Sequence, residues 1–256
     1  MTRLEKDKVI SMKWGTFTAT HIATLVLAVV LLVAIYYILK KTSQKVQIWV
    51  LGILSFSGIV AIIYNLAAWG EPLEYLPFHL CSVNALVLPI AVFTRSKTLG
   101  NLLLVWCLGA LAALILNHAV TDAEILGAAF NIFYFPHVLE FGIPIIMVKL
   151  GLLKKDPKCI GSTLAITMGV YTAVHFINLA LNAWAQANQF GYSDAVFQAN
   201  YMYSLEPTNP LLQVFYSILP YPYWYMYLIV PIVFVYLLIV YLPELIALAK
   251  RKAINT

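Results

Sequence analysis

The sequence predicts an all-α, polytopic membrane bundle of seven transmembrane helices, and three observations predict it. Hydrophobic residues make up 62% of the 256-residue chain and charged residues 11%, with a mean hydropathy of +0.85. Soluble domains of this size lie nearer half apolar and a quarter charged, so the polar groups present cannot cover a globule. The apolar residues gather into runs of about 20, the length that crosses the hydrocarbon core as a helix. The basic residues fall in alternate connections. A disulfide scaffold is excluded, because three cysteines cannot staple a chain this long. The net charge of +5 calls for no nucleic acid partner, since Lys and Arg at span ends anchor and orient membrane proteins.

The first run, 19–39, is stopped by Lys40 and Lys41 and shows no small-residue cleavage site, so it reads as a span and not a signal peptide. Further spans are expected at 46–66, 76–94, 99–117, 128–149, 160–183 and 222–247. Pro77 suits the first position of the third helix. Pro136 and Pro144 remove backbone donors from the fifth span and are expected to kink it. The domain reading is an N-terminal interfacial segment at 1–18, a transmembrane domain at 19–247 and a basic cytoplasmic tail at 248–256. Before the last span, nine mostly apolar residues between Pro210 and Pro220 are too few to cross. They suit a short re-entrant or interfacial helix, either part of an aromatic belt or a lid held by proline turns.

Charge sets the expected orientation. Loop one holds Lys40, Lys41 and Lys45, loop three Arg95 and Lys97, and loop five Lys149, Lys154, Lys155 and Lys158. Loops two, four and six hold no Lys or Arg but contain Glu71, Glu74, Asp122, Asp194 and Glu206. Odd loops and the C-terminus are therefore expected in the cytoplasm and the N-terminus outside. Arg3, Lys6, Lys8 and Lys13 oppose this, and an interfacial helix within 1–17 would reconcile them with either face.

On this topology the costly polar residues within spans concentrate in the outer half. They are His79, Cys81 and Asn84, then Asn117 and His118, then Asn131, His137 and Glu140, then His175, Asn178 and Asn182. Interhelical amide bonding explains any one of them. One leaflet holding all of them suggests a hydrated pocket open outward. His137 and Glu140 share a helix face, as do Cys81 and Asn84. Tyr171, His175, Asn178 and Asn182 form a stripe, whereas His79 and Cys81, two apart, point different ways on a helix.

Three chemistries fit such a cluster. Cys81, one turn into its helix, is a nucleophile if His137 or His175 from another span supplies a base. Cys107 and Cys159 lack polar company and read as packing residues. No metal is expected, since no pair shows ligand spacing, and no cofactor is implied. Binding or transport of a small polar solute is the alternative to an enzyme.

The segment L-P-F-H-L-C-S at 76–82 resembles the L-P-x-x-L-C-[ST] signature of the YwaF-like integral membrane proteins. Asn200-Tyr201-Met202 resembles their N-Y-M motif, and Pro-Tyr-Pro-Tyr-Trp-Tyr at 220–225 their G-P-W-P-W-Y motif, with Leu219 in place of the glycine. The likeness covers roughly 46–240. This bacterial family is related to the animal transmembrane protein 164, a lipid acyltransferase working through an acyl-cysteine with a histidine partner. The resemblance implies a bacterial plasma membrane location and a membrane phospholipid or lysophospholipid as substrate. It implies Cys81 as nucleophile and His137 as base, with His175 in reserve. Asn84, Asn178 or backbone amides would meet the oxyanion. His79, Glu140, Asn182, Asn200, Tyr201 and Trp224 would line or support the pocket, and the activity is acyl transfer or acyl hydrolysis.

Overall fold

The computed structural model describes residues 12–254 except 193 and 209, without the side chains of His118 and 251–254. The protein is all-helical, with about 75% helix and no strand among the described residues. Six helices are long and apolar enough to cross a membrane. They make this an integral membrane protein, as burial also indicates. Only 11% of the most apolar windows of the fifth and sixth of these helices is buried, against 56% for the two central ones. The outer ring presents its side chains to lipid.

Helix α1 spans Ala19–Lys40, with the Thr18 hydroxyl accepting from the His21 amide and Lys40 at its C-terminal end. The second expected span is two helices, α2 Gln44–Ser55 and α3 Ser57–Ala68, broken at Phe56. There the Phe56 amide reaches back three residues to Ile53, and the Ser55 hydroxyl donates to Gly52. Gly52 leaves room for the Phe93 ring, which a Cβ would overlap.

The third element, α4, is Leu80–Thr94, a rise of only about 22 Å. It starts later than expected because Leu76 precedes a proline, which disfavours helix, and because His79 is extended, with φ −73° and ψ 152°. Pro77 thus precedes the helix, and the helical-wheel relation expected between His79 and Cys81 does not hold. Helix α5 is Lys97–Leu116 and α6 Ala128–Lys149, the latter matching its expected bounds with Pro136 and Pro144 inside one continuous helix. Helix α7 runs further than expected, Ile160–Asn188, and ends at Gln189 in the left-handed region. The nine-residue helix α8, Pro210–Ile218, tucks in Leu212 and Phe215. The last helix, α9, is Ile229–Ile254. Its start lies beyond Tyr223, whose φ of 66° cannot belong to a right-handed helix.

Loops gather at two ends. At one, residues 12–15 bond to 121–125: the Trp14 amide to Ala123 at 2.9 Å, the Gly15 amide to Thr121 at 2.7 Å and the Ile125 amide to Met12 at 2.9 Å. Lys13 pairs with Asp122. The described part of the N-terminal segment, 12–18, is therefore not an interfacial helix, and residues 1–11 lie outside the described residues. Trp14 is fully buried, edge-on to Phe130 and Tyr134, with its indole donating to Thr24 at 2.8 Å. At the same end Tyr192 and Tyr201 bond the backbone of Leu73.

At the other end Lys97 pairs with Asp156 and Lys155 with Glu244. The Asn101 amide group donates to Lys97 and Lys154 carbonyls and accepts from the Asp156 amide and the Tyr241 hydroxyl. The expected tail, 248–256, is α9 helix through Ile254, with Asn255 and Thr256 outside the described residues.

Trp14→Ala should destabilise the protein by about 3–5 kcal/mol, as for other large buried aromatics, read as a lower thermal midpoint in detergent. A midpoint equal to that of the parent would show that the segment's docking contributes nothing. The Lys97 ammonium, followed by the Lys158 amide, holds the Asp156 carboxyl below its usual range. Its stabilisation is thus present above the ordinary carboxylate pKa of about 3.9 and is lost as pH falls through the depressed native value. Asp156→Asn should flatten the acid limb of a midpoint-against-pH series, and an unaltered limb would refute the coupling.

Candidate functional site

The polar residues that the topology assigns to one leaflet divide among separate places. The stripe on α7 clasps loop six. Asn178 donates to the Tyr201 carbonyl at 2.8 Å and the Ser204 hydroxyl at 2.9 Å, and accepts from the Tyr201 amide at 3.0 Å. Asn182 donates to the Ala199 carbonyl and accepts from the Ala199 amide at 2.6 Å. His175 meets Ser204 through Nδ1 at 3.0 Å, with its ring 4.7 Å from that of Tyr223. Tyr171 donates to the Tyr223 carbonyl. These side chains satisfy backbone groups of an irregular loop, which would otherwise be left unpaired near lipid.

Asn117 serves the N-terminal segment, donating to Gly15 and accepting from Thr16. Asn131 is half-buried and donates to Leu126. The His118 side chain lies outside the described residues. Trp224 is exposed, beside Tyr223 and Tyr227.

Loop six then covers the N-terminal end of α4 and leaves a cavity of about 180 Å³. Three of the expected pocket residues line it, His79, Asn200 and Tyr201, together with Glu74, Tyr203 and Thr208. His79 accepts from the Met202 amide at 3.4 Å and faces the rings of Tyr201 and Tyr203. Burial and then the like charge of Glu71 push the Glu74 carboxyl above the usual carboxylate range. Asn200 fixes the loop's own turn through Leu205 and Glu206.

The second group lies deeper, where α3, α4 and α6 meet. Asn84 and Glu140 are buried, 0% and 3% exposed, and Asn84 Nδ2 donates to Glu140 Oε2 at 3.4 Å. Gly58 of α3 closes this site, since a Cβ there would come within 2.9 Å of Glu140 Oε1 and 2.5 Å of the Ala85 Cβ. One turn before Asn84 stands Cys81, and one turn before Glu140 stands His137. Cys81 is a free, half-buried cysteine at the second position of α4, with the Ser82 hydroxyl beside its sulfur. It also lies within electrostatic reach of Glu140 and of the cavity-lining Tyr203. None of these partners is a histidine.

His137 stacks on Phe133 at 4.2 Å and bonds the Phe133 carbonyl through Nδ1 at 2.6 Å. A carbonyl only accepts, so Nδ1 carries the hydrogen and the neutral ring keeps Nε2 for accepting a proton.

Cys107, by contrast, donates to Leu104 from a fully buried position, and Cys159 is buried as well. Among the described residues no three His, Cys, Asp or Glu side chains gather to hold a metal ion.

Helical spacing singled out Cys81, Asn84, His137 and Glu140 as candidates but not Ser204, Tyr203, Glu74 and Gly58, which the fold brings beside them, to the α7 stripe or to the cavity. Nothing periodic marks the first three, which lie in loops, and Gly58 stands out only through what α4 and α6 bring against it.

Residues 16–241, from the turn before α1 to the middle of α9, match the model of the TMEM164 family. No curated protein and no solved structure matches the chain. The extent of the family match settles the membership: this chain is a member of the TMEM164 family.

Proposed function

We propose that the protein is a cysteine-dependent acyltransferase or acyl hydrolase acting on an ester of a membrane phospholipid or lysophospholipid. The observation that carries this is the Asn84–Glu140 hydrogen bond. Helices α4 and α6 both begin at the end of the bundle where the N-terminal segment, loop two and loop six lie. A bond between Asn84 and Glu140 therefore sets their register, and the residues one turn earlier on each, Cys81 and His137, come to equal depth on facing helices.

In this reading the Cys81 sulfur attacks the ester carbonyl carbon, and the thiol proton passes to His137 Nε2. The tetrahedral oxyanion forms beside the first turn of α4. There the amides of Leu80, Cys81 and Ser82 precede the first helical bond, from Val83 to His79. Collapse expels the alkoxide, which takes the proton from His137 and leaves an acyl thioester on Cys81. Asn178 is a poor oxyanion donor here because loop six already occupies its amide. His175 is likewise engaged with Ser204.

The seven-span topology belongs to the same proposal. Residues 12–15 meet 121–125 across α1, α2–α3, α4 and α5, and Leu73 meets Tyr192 and Tyr201 across α4 to α7. Segments on one side of a membrane are separated by an even number of crossings. Both closures thus support a transmembrane α4 despite its length. With the Lys-rich loops in the cytoplasm, the N-terminus and the Cys81 end of α4 are outside, in a bacterial plasma membrane.

Cysteines introduced into loop two should label from the non-cytoplasmic side and those at Lys154 or Lys155 only from the cytoplasm, while the reverse pattern would invert the orientation. Cys81→Ser should abolish a hydroxylamine-sensitive acyl adduct and turnover, because a serine hydroxyl ionises far less than a thiol. His137→Ala should slow adduct formation by roughly 10²–10⁴. Full activity in Cys81→Ser would refute the thiol mechanism.

A further inference from the structure

The buried amide of Asn84 is only half used. Its Nδ2 donates to Glu140, while its Oδ1 is buried with no hydrogen-bond partner among the described residues. A buried acceptor left unpaired costs about 1–3 kcal/mol, and such atoms in a polar site are commonly met by internal water. The neighbouring acceptor is Glu140, whose Oε1 faces the Cβ-less Gly58. The site therefore presents two acceptors, an amide oxygen and a carboxylate, one helical turn from the nucleophilic sulfur. An alcohol brings one O–H and would leave one acceptor unmet. Water brings two.

We infer that Asn84 and Glu140 seat a hydrolytic water against the acyl–Cys81 thioester, so that thioester hydrolysis is an activity built into this chain. The inference rests on the Cys81 reading above. One water O–H donates to Asn84 Oδ1 and the other to Glu140. The water oxygen attacks the thioester carbonyl, and Glu140 takes its proton. The C–S bond then breaks, and that proton returns to the Cys81 sulfur, releasing a free fatty acid and regenerating thiol and carboxylate. His137 then serves acylation, and Asn84 is a positioning residue for the water.

The test uses the full-length protein in detergent with p-nitrophenyl hexanoate as acyl donor, with and without lysophosphatidylglycerol as a competing alcohol. Without the alcohol, wild type should turn over continuously. Glu140→Gln should give about one equivalent of p-nitrophenolate in a burst, and the steady rate should then drop by roughly 10²–10⁴ as acyl-Cys81 accumulates. Glu140→Asp should recover part of the steady rate. With the alcohol, Asn84→Ala should lower the ratio of free hexanoate to acylated lysolipid by about tenfold or more, a ratio that general structural damage would leave alone. A wild-type steady rate in Glu140→Gln, loss of its burst and steady rate together at an unaltered thermal midpoint, or an unmoved ratio in Asn84→Ala would each overturn the water site while leaving Cys81 chemistry standing. No adduct in either the wild type or Glu140→Gln, or an adduct that survives Cys81→Ser, would refute the thiol reading itself and this one with it.

Discussion

Backbone polar groups near hydrocarbon must find partners inside the protein, and in this fold asparagines supply many of them. Asn101 of α5 ties loop five to α9, and Asn117 holds the N-terminal segment to the end of α5. Asn178 and Asn182 pin loop six to α7. A carboxamide offers donors and an acceptor together. One side chain can therefore satisfy both an amide and a carbonyl of a passing strand of loop, as Asn182 does for Ala199. The irregular segments at both ends of the bundle hold their positions through these contacts.

Asn84 departs from that pattern. It bonds a side chain, Glu140, and not a loop backbone, and its acceptor oxygen has no partner among the described residues. Around it the packing is tight: Gly58 admits no Cβ, and the core of α4, α5 and α6 encloses the inward side. The cavity beneath loop six is lined separately, by His79, Asn200, Tyr201 and Tyr203 among others.

The polar residues of the bundle form two layers. The outer layer, containing His79, Glu74 and Asn200, is built mainly from loops. The inner layer, containing Asn84 and Glu140, is built from helices, and rigid helices hold reacting groups more accurately than loops do. Loop six depends on the α7 stripe for its shape, so the roof of the cavity and the floor of the site are supported independently.

The helical runs, their apolar lengths and the alternation of basic loops are all local properties, and the sequence by itself determined them. The bounds of α6 at 128–149 and the short helix before α9 were legible for that reason. So were the shared faces of Cys81 with Asn84 and of His137 with Glu140, since spacing within one helix fixes its faces. The burial of Trp14 was decided by tertiary contacts. So were the partners of the asparagines: Asn117 reaches Gly15 across 102 residues and Asn84 reaches Glu140 across 56. Periodicity shows which side chains share a face but not which distant backbone will occupy it. His175, Asn178 and Asn182 therefore looked in sequence like the lining of a pocket, and only the folded loop assigned their hydrogen bonds to its own backbone and to Ser204.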